Sequence, residues 1–218
     1  MGTSDAANIP FVVSELQRLQ PKSVLDVGMG FGKWGVLARE YLDVWGGRCR
    51  PDDWQLRIEG VEIHAPYRNP IWDGVYDQVH IGDAQEVLRG LGRYDVGIFC
   101  DVIEHIDKEA GRRLLRELLE HCGHVILTTP LSFWEQDPVD GNDHERHVSL
   151  WGWQDLIEYS GRCVELGSTF GAVLRLPGPG PARLAVHGRY DHVGVRPLMR
   201  ALGRRVVLKL AGRAPDPG

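Results

Sequence analysis

The sequence predicts an α/β fold with a doubly wound, mostly parallel seven-stranded sheet, a C-terminal antiparallel hairpin, and helices on both faces. Short apolar runs alternate with segments of helical periodicity, as in the βαβ units of a parallel sheet. The first apolar run, Val24 to Val27, leads into four glycines within eight residues. That pattern is typical of a buried strand that turns sharply into a helix. The last two apolar runs have no helical segment between them, which favours a closing hairpin.

The N-terminal half begins with apolar residues at helical spacing, which predict a first helix. The apolar run before the glycines predicts the first strand, and a second helix follows the turn. A stretch rich in Gly, Arg, Asp and Trp then precedes the second strand. The predicted order is a helix over 9–19, a strand over 23–28, a helix over 33–44, an insertion over 45–55, a strand over 56–63 and a proline-rich loop through Tyr76.

The C-terminal half continues the alternation. Four leucines on one face make the helix over 107–120 strongly amphipathic. Pro130 marks the end of the strand that follows, because proline cannot continue a central strand. The predicted order is a strand over 78–81, helix over 84–90, strand over 95–100, helix over 107–120, strand over 124–129, helix over 149–160, and strands over 163–169 and 171–176.

The chain of 218 residues is long enough for one domain with a sizeable core. We predict that this domain spans 1–182 and that 183–218 form a basic C-terminal extension. The extension holds eight basic and two acidic side chains, and apolar residues at every fourth position predict a basic amphipathic helix. Three roles remain open for this helix: docking on the domain, contact with a membrane surface, or binding of an anionic substrate or partner. The apolar positions are Leu198, Leu202, Val206 and Leu210.

The cysteines and the N-terminus bear on the compartment. The first ten residues lack the basic and apolar regions of a signal peptide, and no apolar run approaches the length of a membrane span. The four cysteines show no CxxC spacing, which favours reduced, buried thiols over disulfides or a zinc site. These observations predict a cytoplasmic protein without a transmembrane segment. They leave the oligomeric state open.

Two nucleotide-binding patterns can be compared with the glycine-rich turn. A P-loop requires a hydroxyl residue directly after Lys33, but Trp34 stands there, so that pattern fails. Gly30, Gly32 and Gly35 do match the dinucleotide pattern Gly-x-Gly-x-x-Gly, although the expected acid comes later than usual. An NAD(P)-binding oxidoreductase is therefore an alternative. This alternative is weakened because the chain lacks the Tyr-x-x-x-Lys pair that short-chain dehydrogenases use.

An acid before the glycines indicates a different ligand. The stretch Asp26-x-Gly28-x-Gly30-x-Gly32 resembles motif I of the class I S-adenosylmethionine-dependent methyltransferases. The resemblance covers roughly residues 8–178, with boundaries good to a few residues. It implies that Asp26 helps to hold the methionine end of S-adenosylmethionine and that the glycines pass beneath the cofactor.

Further acids follow the next three strands in the order that this family shows. The resemblance implies that Glu62 grips the ribose hydroxyls, for which a carboxylate with two acceptor oxygens is suited. It places Asp83 and Ala84 near the adenine and Asp101 near the methionine portion. The stretch from Asp101 to Ile106, DVIEHI, resembles the substrate-facing segment of the small-molecule enzymes.

Methyl transfer requires an acceptor atom aligned with the S–CH3 bond and little water. A hydroxyl acceptor also benefits from a general base. The stretch after the fourth strand and the long aromatic loop over 131–153 offer side chains for these tasks. The alternative is that these side chains have structural roles. The acid at 104 would then be a charge at a helix N-terminus, the histidine at 147 would cap a helix, and the tryptophans would pack in the core. The predicted bases are His144, His105 and His147, and the predicted substrate contacts are Glu104, Trp134 and Trp151.

No metal ligand set is predicted. Some members of the family hold magnesium with acids after the fourth and fifth strands, and oxygen-rich side chains do occur in this region. Nothing in their spacing selects a set, and loop acids are mostly solvated. The residues are Asp101, Asp137, Asp140, Asn142, Asp143 and His144.

The acceptor class is narrowed by what the chain lacks. It has neither the Asn/Asp-Pro-Pro-Tyr/Phe segment of amino-group nucleic-acid methylases nor the Pro-Cys nucleophile of cytosine-C5 enzymes. Residues 1–182 carry 17 basic and 28 acidic side chains, which disfavours nucleic acid as a partner. The sequence therefore predicts a methyltransferase acting on an oxygen or nitrogen of a small metabolite. A non-catalytic scaffold that binds S-adenosylmethionine is the remaining alternative.

Overall fold

The computed structural model describes residues 2–139 and 141–189. Its helices and strands alternate along most of the chain, as predicted. The helices are α1 (Ile9–Leu19), α2 (Lys33–Leu42), α3 (Pro70–Val75), α4 (Ala84–Leu88) and α5 (Lys108–His121). The strands are β1 (Ser23–Val27), β2 (Arg57–Glu62), β3 (Gln78–Ile81), β4 (Tyr94–Cys100), β5 (Cys122–Pro130), β6 (Ser160–Glu165), β7 (Thr169–Arg175) and β8 (Leu184–Arg189).

The described strands form one sheet in the order β3-β2-β1-β4-β5-β7-β6-β8. The five strands from β3 to β5 are parallel, and β7 pairs antiparallel with both β5 and β6. The predicted parallel sheet and closing hairpin are therefore confirmed. The strand order reverses direction between β1 and β4, so the carboxyl ends of these two strands flank a crevice, where open α/β sheets bind ligands.

The sheet has eight strands rather than the predicted seven. The additional strand is β8, which pairs in parallel with β6 from Gly161 to Glu165. It lies inside the segment 183–218 that was predicted to be a helical extension, so the sheet extends beyond residue 182. The predicted amphipathic helix further along lies outside the described residues.

The segment over 149–160 is not the predicted helix. The buried Ser149 hydroxyl donates to the backbone oxygen of Ile106 (2.7 Å) and accepts from the Trp151 indole (2.8 Å). Such side-chain bonds compete with helix formation. The chain instead makes a short 3-10 turn over Trp153–Leu156 before β6 begins.

A short helix, α3, replaces part of the predicted proline-rich loop. The Asn69 side chain accepts a hydrogen bond from the Ile71 amide (2.9 Å), and Pro70 occupies the first helical position. Both are standard helix-start features, since Asn caps the free amides and proline fits the first turn.

Helices cover both faces of the sheet, as predicted. On one face, α1, α2 and α3 bury Phe11, Trp34 and Trp72 against the strands. On the other, α4 and α5 bury Leu88 and a row of four leucines. The row is the one that makes α5 amphipathic: Leu114, Leu115, Leu118 and Leu119. Among the described residues, no helix combines the length and apolar character needed to cross a membrane.

Candidate active site at the carboxyl edge of the sheet

The glycine-rich loop joins β1 to α2 through backbone conformations that favour glycine. Gly28, Gly30 and Gly32 have φ angles of 71°, 49° and 98°. A Cβ at Gly28 would lie 2.5 Å from a methyl carbon of Val102, so a side chain does not fit there. Gly28 and Gly30 line a cavity and present bare main chain to it. Gly32 is the N-cap residue of α2 and is not among the residues lining the cavity, so its predicted contact with the cofactor stays a prediction.

Asp26 lies beneath this loop rather than on the cavity wall. Its side chain is buried, and the Tyr76 hydroxyl donates to its Oδ2 atom over 2.6 Å. The same hydroxyl accepts from the Gly35 amide (3.2 Å), which ties β1 to the start of α2. Burial, with a smaller contribution from the nearby Glu62 charge, raises the pKa of Asp26 to about 7 against the lowering effect of the Tyr76 bond. Asp26 thus supports the loop from below, and its predicted contact with the methionine end of the cofactor stays a prediction.

Glu62 ends β2 and forms part of the cavity wall. Its Oε2 atom accepts from the Gly30 amide and its Oε1 atom from the His64 amide, both at 2.9 Å. Burial raises the pKa of Glu62, and these two bonds partly offset that rise. Each carboxylate oxygen has further acceptor capacity, so Glu62 both positions the loop and remains able to accept from a ligand.

The acid after β3 stands at the start of α4. The Asp83 side chain caps this helix by accepting from the Gln85 amide (2.8 Å). Asp83 and Ala84 both line the cavity, on the side of β2 and β3. Asp83 is therefore at once a helix cap and a wall residue.

Asp101 follows β4 with a φ of 53°, a left-handed conformation that residues other than glycine rarely adopt. Its carboxylate accepts from the Asn8 amide group (2.9 Å), the Thr128 hydroxyl (2.8 Å) and the Asp5 backbone amide (2.9 Å). Burial raises the pKa of Asp101 despite these bonds. Sequence reasoning missed Asn8, because an asparagine before a helix predicts only a cap, and Asn8 makes no side-chain cap bond.

The residues before α1 also lie against the cavity, which the sequence did not indicate. The Lys33 ammonium group donates to the Ser4 backbone oxygen, and the Trp34 indole donates to the Ser4 hydroxyl (3.1 Å). Burial lowers the pKa of Lys33, although the Asp101 and Asp5 charges act in the opposite direction. Residues 2–5 thus form a wall of the cavity beside the glycine loop.

The cavity bounded by these elements has a volume of ≈ 670 Å³. This lies within the range of small-molecule and cofactor sites, about 300–1,000 Å³. Its walls include the glycine loop and the strand-end acids Glu62, Asp83 and Asp101. The acids and glycine-loop positions that the sequence singled out separately therefore lie at one edge of the sheet, with Asp26 immediately below.

The wall of the same cavity also includes a cluster of four side chains, Glu104, His105, His147 and Trp134, which we call the recess. Glu104 is buried, its Oε2 atom accepts from the Thr129 hydroxyl (3.1 Å), and burial raises its pKa to about 8. The two imidazole rings lie 4.9 Å apart, centroid to centroid, and the Trp134 ring lies 4.8 Å from that of His147. Glu104 is therefore a buried side chain of the recess rather than helix N-terminal charge, while Asp107 caps α5.

Two other predicted acceptor-site residues have different positions. His144 lines the cavity with an exposed side chain. Trp151 is only 2% exposed and packs in the core against α5, so its predicted substrate contact is corrected to a core position. Trp153 lies outside the walls of this cavity, and Trp134 is 43% exposed at its rim, so neither ring fills the recess.

Fold and site together define an α/β protein that binds a nucleotide-like ligand at the switch point of its sheet. The family model described as "Methyltransferase domain" matches residues 6–175. The chain therefore belongs to the methyltransferase-domain family. It is a class I S-adenosylmethionine-dependent methyltransferase, and S-adenosylmethionine is its cofactor. This assignment removes the dinucleotide-binding oxidoreductase and the non-catalytic scaffold.

Solved structures show the same fold at low identity. The methyltransferase domain of bacterial CtHen1 is 17% identical with a TM-score of 0.52, over 78% of this chain and 98% of that one. An O-methyltransferase family protein from Burkholderia thailandensis is 16% identical with a TM-score of 0.53. The match covers 79% of this chain and 57% of that one. The N-terminal domain of EvdMO1, in the presence of SAH and D-fucose, is 14% identical with a TM-score of 0.53. The match covers 81% of this chain and 85% of that one. No curated protein matches the sequence.

Proposed function

We propose that this methyltransferase acts on an oxygen or nitrogen atom of a small metabolite. The observation that carries the proposal is the recess walled by Glu104, His105, His147 and Trp134, which belongs to the same cavity as the glycine loop. A concave, preformed site with a few polar groups suits a small molecule. The excess of acidic side chains over residues 1–182 weakens binding of nucleic acid, which depends on neutralising phosphates.

The cofactor has a consistent place in the cavity. Gly28 and Gly30 allow close approach to bare backbone, and Glu62 has acceptor capacity for the ribose hydroxyls. Asp83 and Ala84 would lie along the adenine, and Asp101 near the methionine portion. When bound, S-adenosylmethionine supplies a methyl group that its sulfonium charge has already activated. Buried carboxylates with raised pKa values favour a cationic ligand, because it relieves the cost of their own charge.

The protein then needs to orient the acceptor, exclude water and receive one proton. Trp134 and the buried Glu104 line the cavity and would hold the acceptor there. Methylation of a hydroxyl oxygen would release one proton, and an imidazole beside the acceptor would receive it. The three histidines at the cavity are candidates for this base: His105, His144 and His147.

We also propose a cytoplasmic location. All four cysteines are free thiols, as a reducing compartment allows. Three of them are buried as expected, whereas Cys49 is exposed.

Label transfer into a cell extract tests the acceptor class even while the acceptor itself is unidentified. Purified enzyme and S-adenosylmethionine with a labelled methyl group are incubated with the extract, which is then separated by molecular size. We expect label in the small-molecule fraction and its loss with the Trp134→Ala variant. Label confined to protein or nucleic acid would contradict the proposal.

A further inference from the structure

We propose that Glu104, His105 and His147 form a binding site for one divalent transition-metal ion in the acceptor recess. Each residue offers one ligand atom, and these atoms all lie within 4.8 Å of one another. A metal bound at about 2.0–2.2 Å holds its ligands roughly 3–4 Å apart. Small side-chain rotations therefore bring the three atoms around one ion.

The orientation of the two histidines provides a second observation. The Nδ1 atom of His105 lies 3.1 Å from the Arg146 backbone oxygen, and that of His147 lies 3.2 Å from the Trp134 backbone oxygen. A carbonyl can only accept, so Nδ1 carries the proton in each ring. In the neutral form of each ring, Nε2 is then the unprotonated atom and is available as a ligand. Metal-ligating histidines are commonly held in this way by an outer hydrogen bond.

The charges around the site also favour a cation. Glu104 is buried, and the Asp101 and Glu145 charges act on it repulsively. A divalent ion would reduce the repulsion between the negative charges of these three neighbouring carboxylates, Glu104, Asp101 and Glu145.

The donor set selects the kind of ion. Two imidazoles and one carboxylate suit Mn²⁺, Fe²⁺, Co²⁺ or Zn²⁺, whereas Mg²⁺ and Ca²⁺ prefer all-oxygen ligands. This set differs from the loop acids that the sequence offered as an alternative. The described loop acids include Asp143, which instead pairs with Arg146. Three protein ligands leave coordination positions open for an acceptor oxygen.

The metal's role rests on the proposed function, because the recess is taken as the acceptor side. A metal-bound hydroxyl loses its proton more easily. With His105 and His147 as ligands, His144 remains as the imidazole that accepts the proton. Binding of the ion itself needs neither cofactor nor acceptor, so it can fail or succeed independently of the methylation proposal.

Titration with Co²⁺ tests the site, using untagged full-length protein that has been treated with a chelator. We expect about one ion per chain and the visible absorption of a protein-bound Co²⁺ ion with nitrogen and oxygen ligands. Glu104→Gln, His105→Ala and His147→Ala should each weaken binding by more than the roughly 10–100-fold cost of losing an outer-shell partner. The matched control His144→Ala, on the same loop but outside the cluster, should bind Co²⁺ as the wild type does.

Two results would overturn the proposal: no Co²⁺ binding by the wild-type chain, or equal binding by the wild type and the cluster variants. Mg²⁺ competing as well as Zn²⁺ would overturn the choice of ion. Circular dichroism and binding of S-adenosylhomocysteine to each variant show whether it is folded. Because Glu104→Gln preserves the side-chain shape, it tests the ligand role even if a histidine variant fails to fold.

Discussion

At the scale of single residues, the site is defined by carboxylates that the fold buries. Asp26, Glu62, Asp101 and Glu104 all have raised pKa values, and in each case burial is the largest cause. Their place in the sequence was predictable, because each lies at or just after the carboxyl end of a strand, and these ends share one sheet edge. How deeply each carboxylate is buried was not predictable from the sequence. Whether an acid faces the cavity or lies under it depends on neighbours distant in sequence, such as Tyr76 for Asp26.

The buried Asp26 makes stability depend on pH. Its pKa is about 7 in the folded chain, against an ordinary value of 3.8 for an aspartate side chain. Below the lower value both states are protonated, and this contribution to stability is fully present. As pH rises between the two values, only the unfolded state releases the proton, so the free energy of unfolding falls until the folded pKa is passed. The full change is on the order of 4 kcal/mol.

The Asp26→Asn variant should lose this dependence. Urea unfolding between about pH 5 and 8 should show wild-type stability falling relative to the variant as pH rises. Parallel profiles for the two proteins would show that Asp26 is not protonated in the folded state.

Glu62 is the residue whose replacement most directly tests the cofactor side of the cavity. Glu62→Gln exchanges one acceptor oxygen for a donor, next to the amides of Gly30 and His64. We expect binding of S-adenosylhomocysteine to weaken by about 1–3 kcal/mol, as for a lost partner of polar groups. The matched control is Glu59→Gln, on the same strand but paired with His80 away from the cavity. Equal affinities for the two variants, measured by calorimetry, would contradict the assignment.

At the scale of elements, a helix or strand marked by a repeated pattern of apolar residues was predicted well. A conformation that depends on one side-chain hydrogen bond was not. The leucine spacing of α5 located that helix correctly. Its partner Trp151 was assigned to the substrate, since nothing local shows that Ser149 holds the indole in the core. The helix predicted over 149–160 failed for the same reason: hydrogen bonds to the segment after β4 decide the conformation there.

The contact between α5 and Trp151 depends on a glycine. A Cβ at Gly111 would lie 2.6 Å from the Trp151 ring, so Gly111→Ala forces the ring or the helix to move. We expect a loss of about 1–3 kcal/mol in unfolding free energy, the usual cost of overpacking. The control Gly74→Ala in α3 meets no atom within 4 Å and should be neutral or slightly stabilising. Similar chemical denaturation midpoints for both variants would be inconsistent with this packing.

At the scale of the whole molecule, the alternation of strands and helices predicted the layered sheet and the edge that carries the site. It did not predict β8, because that strand depends on the free edge of β6 and follows a turn rich in proline and glycine. Beyond the strand ladder, the Arg183 amide also donates to the Ser160 hydroxyl (3.1 Å). The sheet is thus extended on this side by a strand from the segment that composition alone assigned to an extension.

Two truncations isolate the contribution of β8. A chain ending at residue 182 lacks the strand, whereas one ending at residue 189 keeps it, and both lack the residues beyond. We expect the shorter chain to have the lower melting temperature and to aggregate more readily, because an exposed β6 edge offers unpaired backbone groups. Equal melting temperatures and solubility would mean that β8 adds nothing to the sheet.

The central claim, that the cavity beside the glycine loop binds S-adenosylmethionine, is tested most directly by calorimetric titration of the wild-type chain. S-adenosylhomocysteine serves as the ligand because it allows no turnover, and NAD(H) serves as the control. We predict binding of one S-adenosylhomocysteine per chain and none of NAD(H). Binding of NAD(H) alone would contradict the account, since Gly30, Gly32 and Gly35 would then be the functional pattern. Binding of neither ligand would contradict it equally.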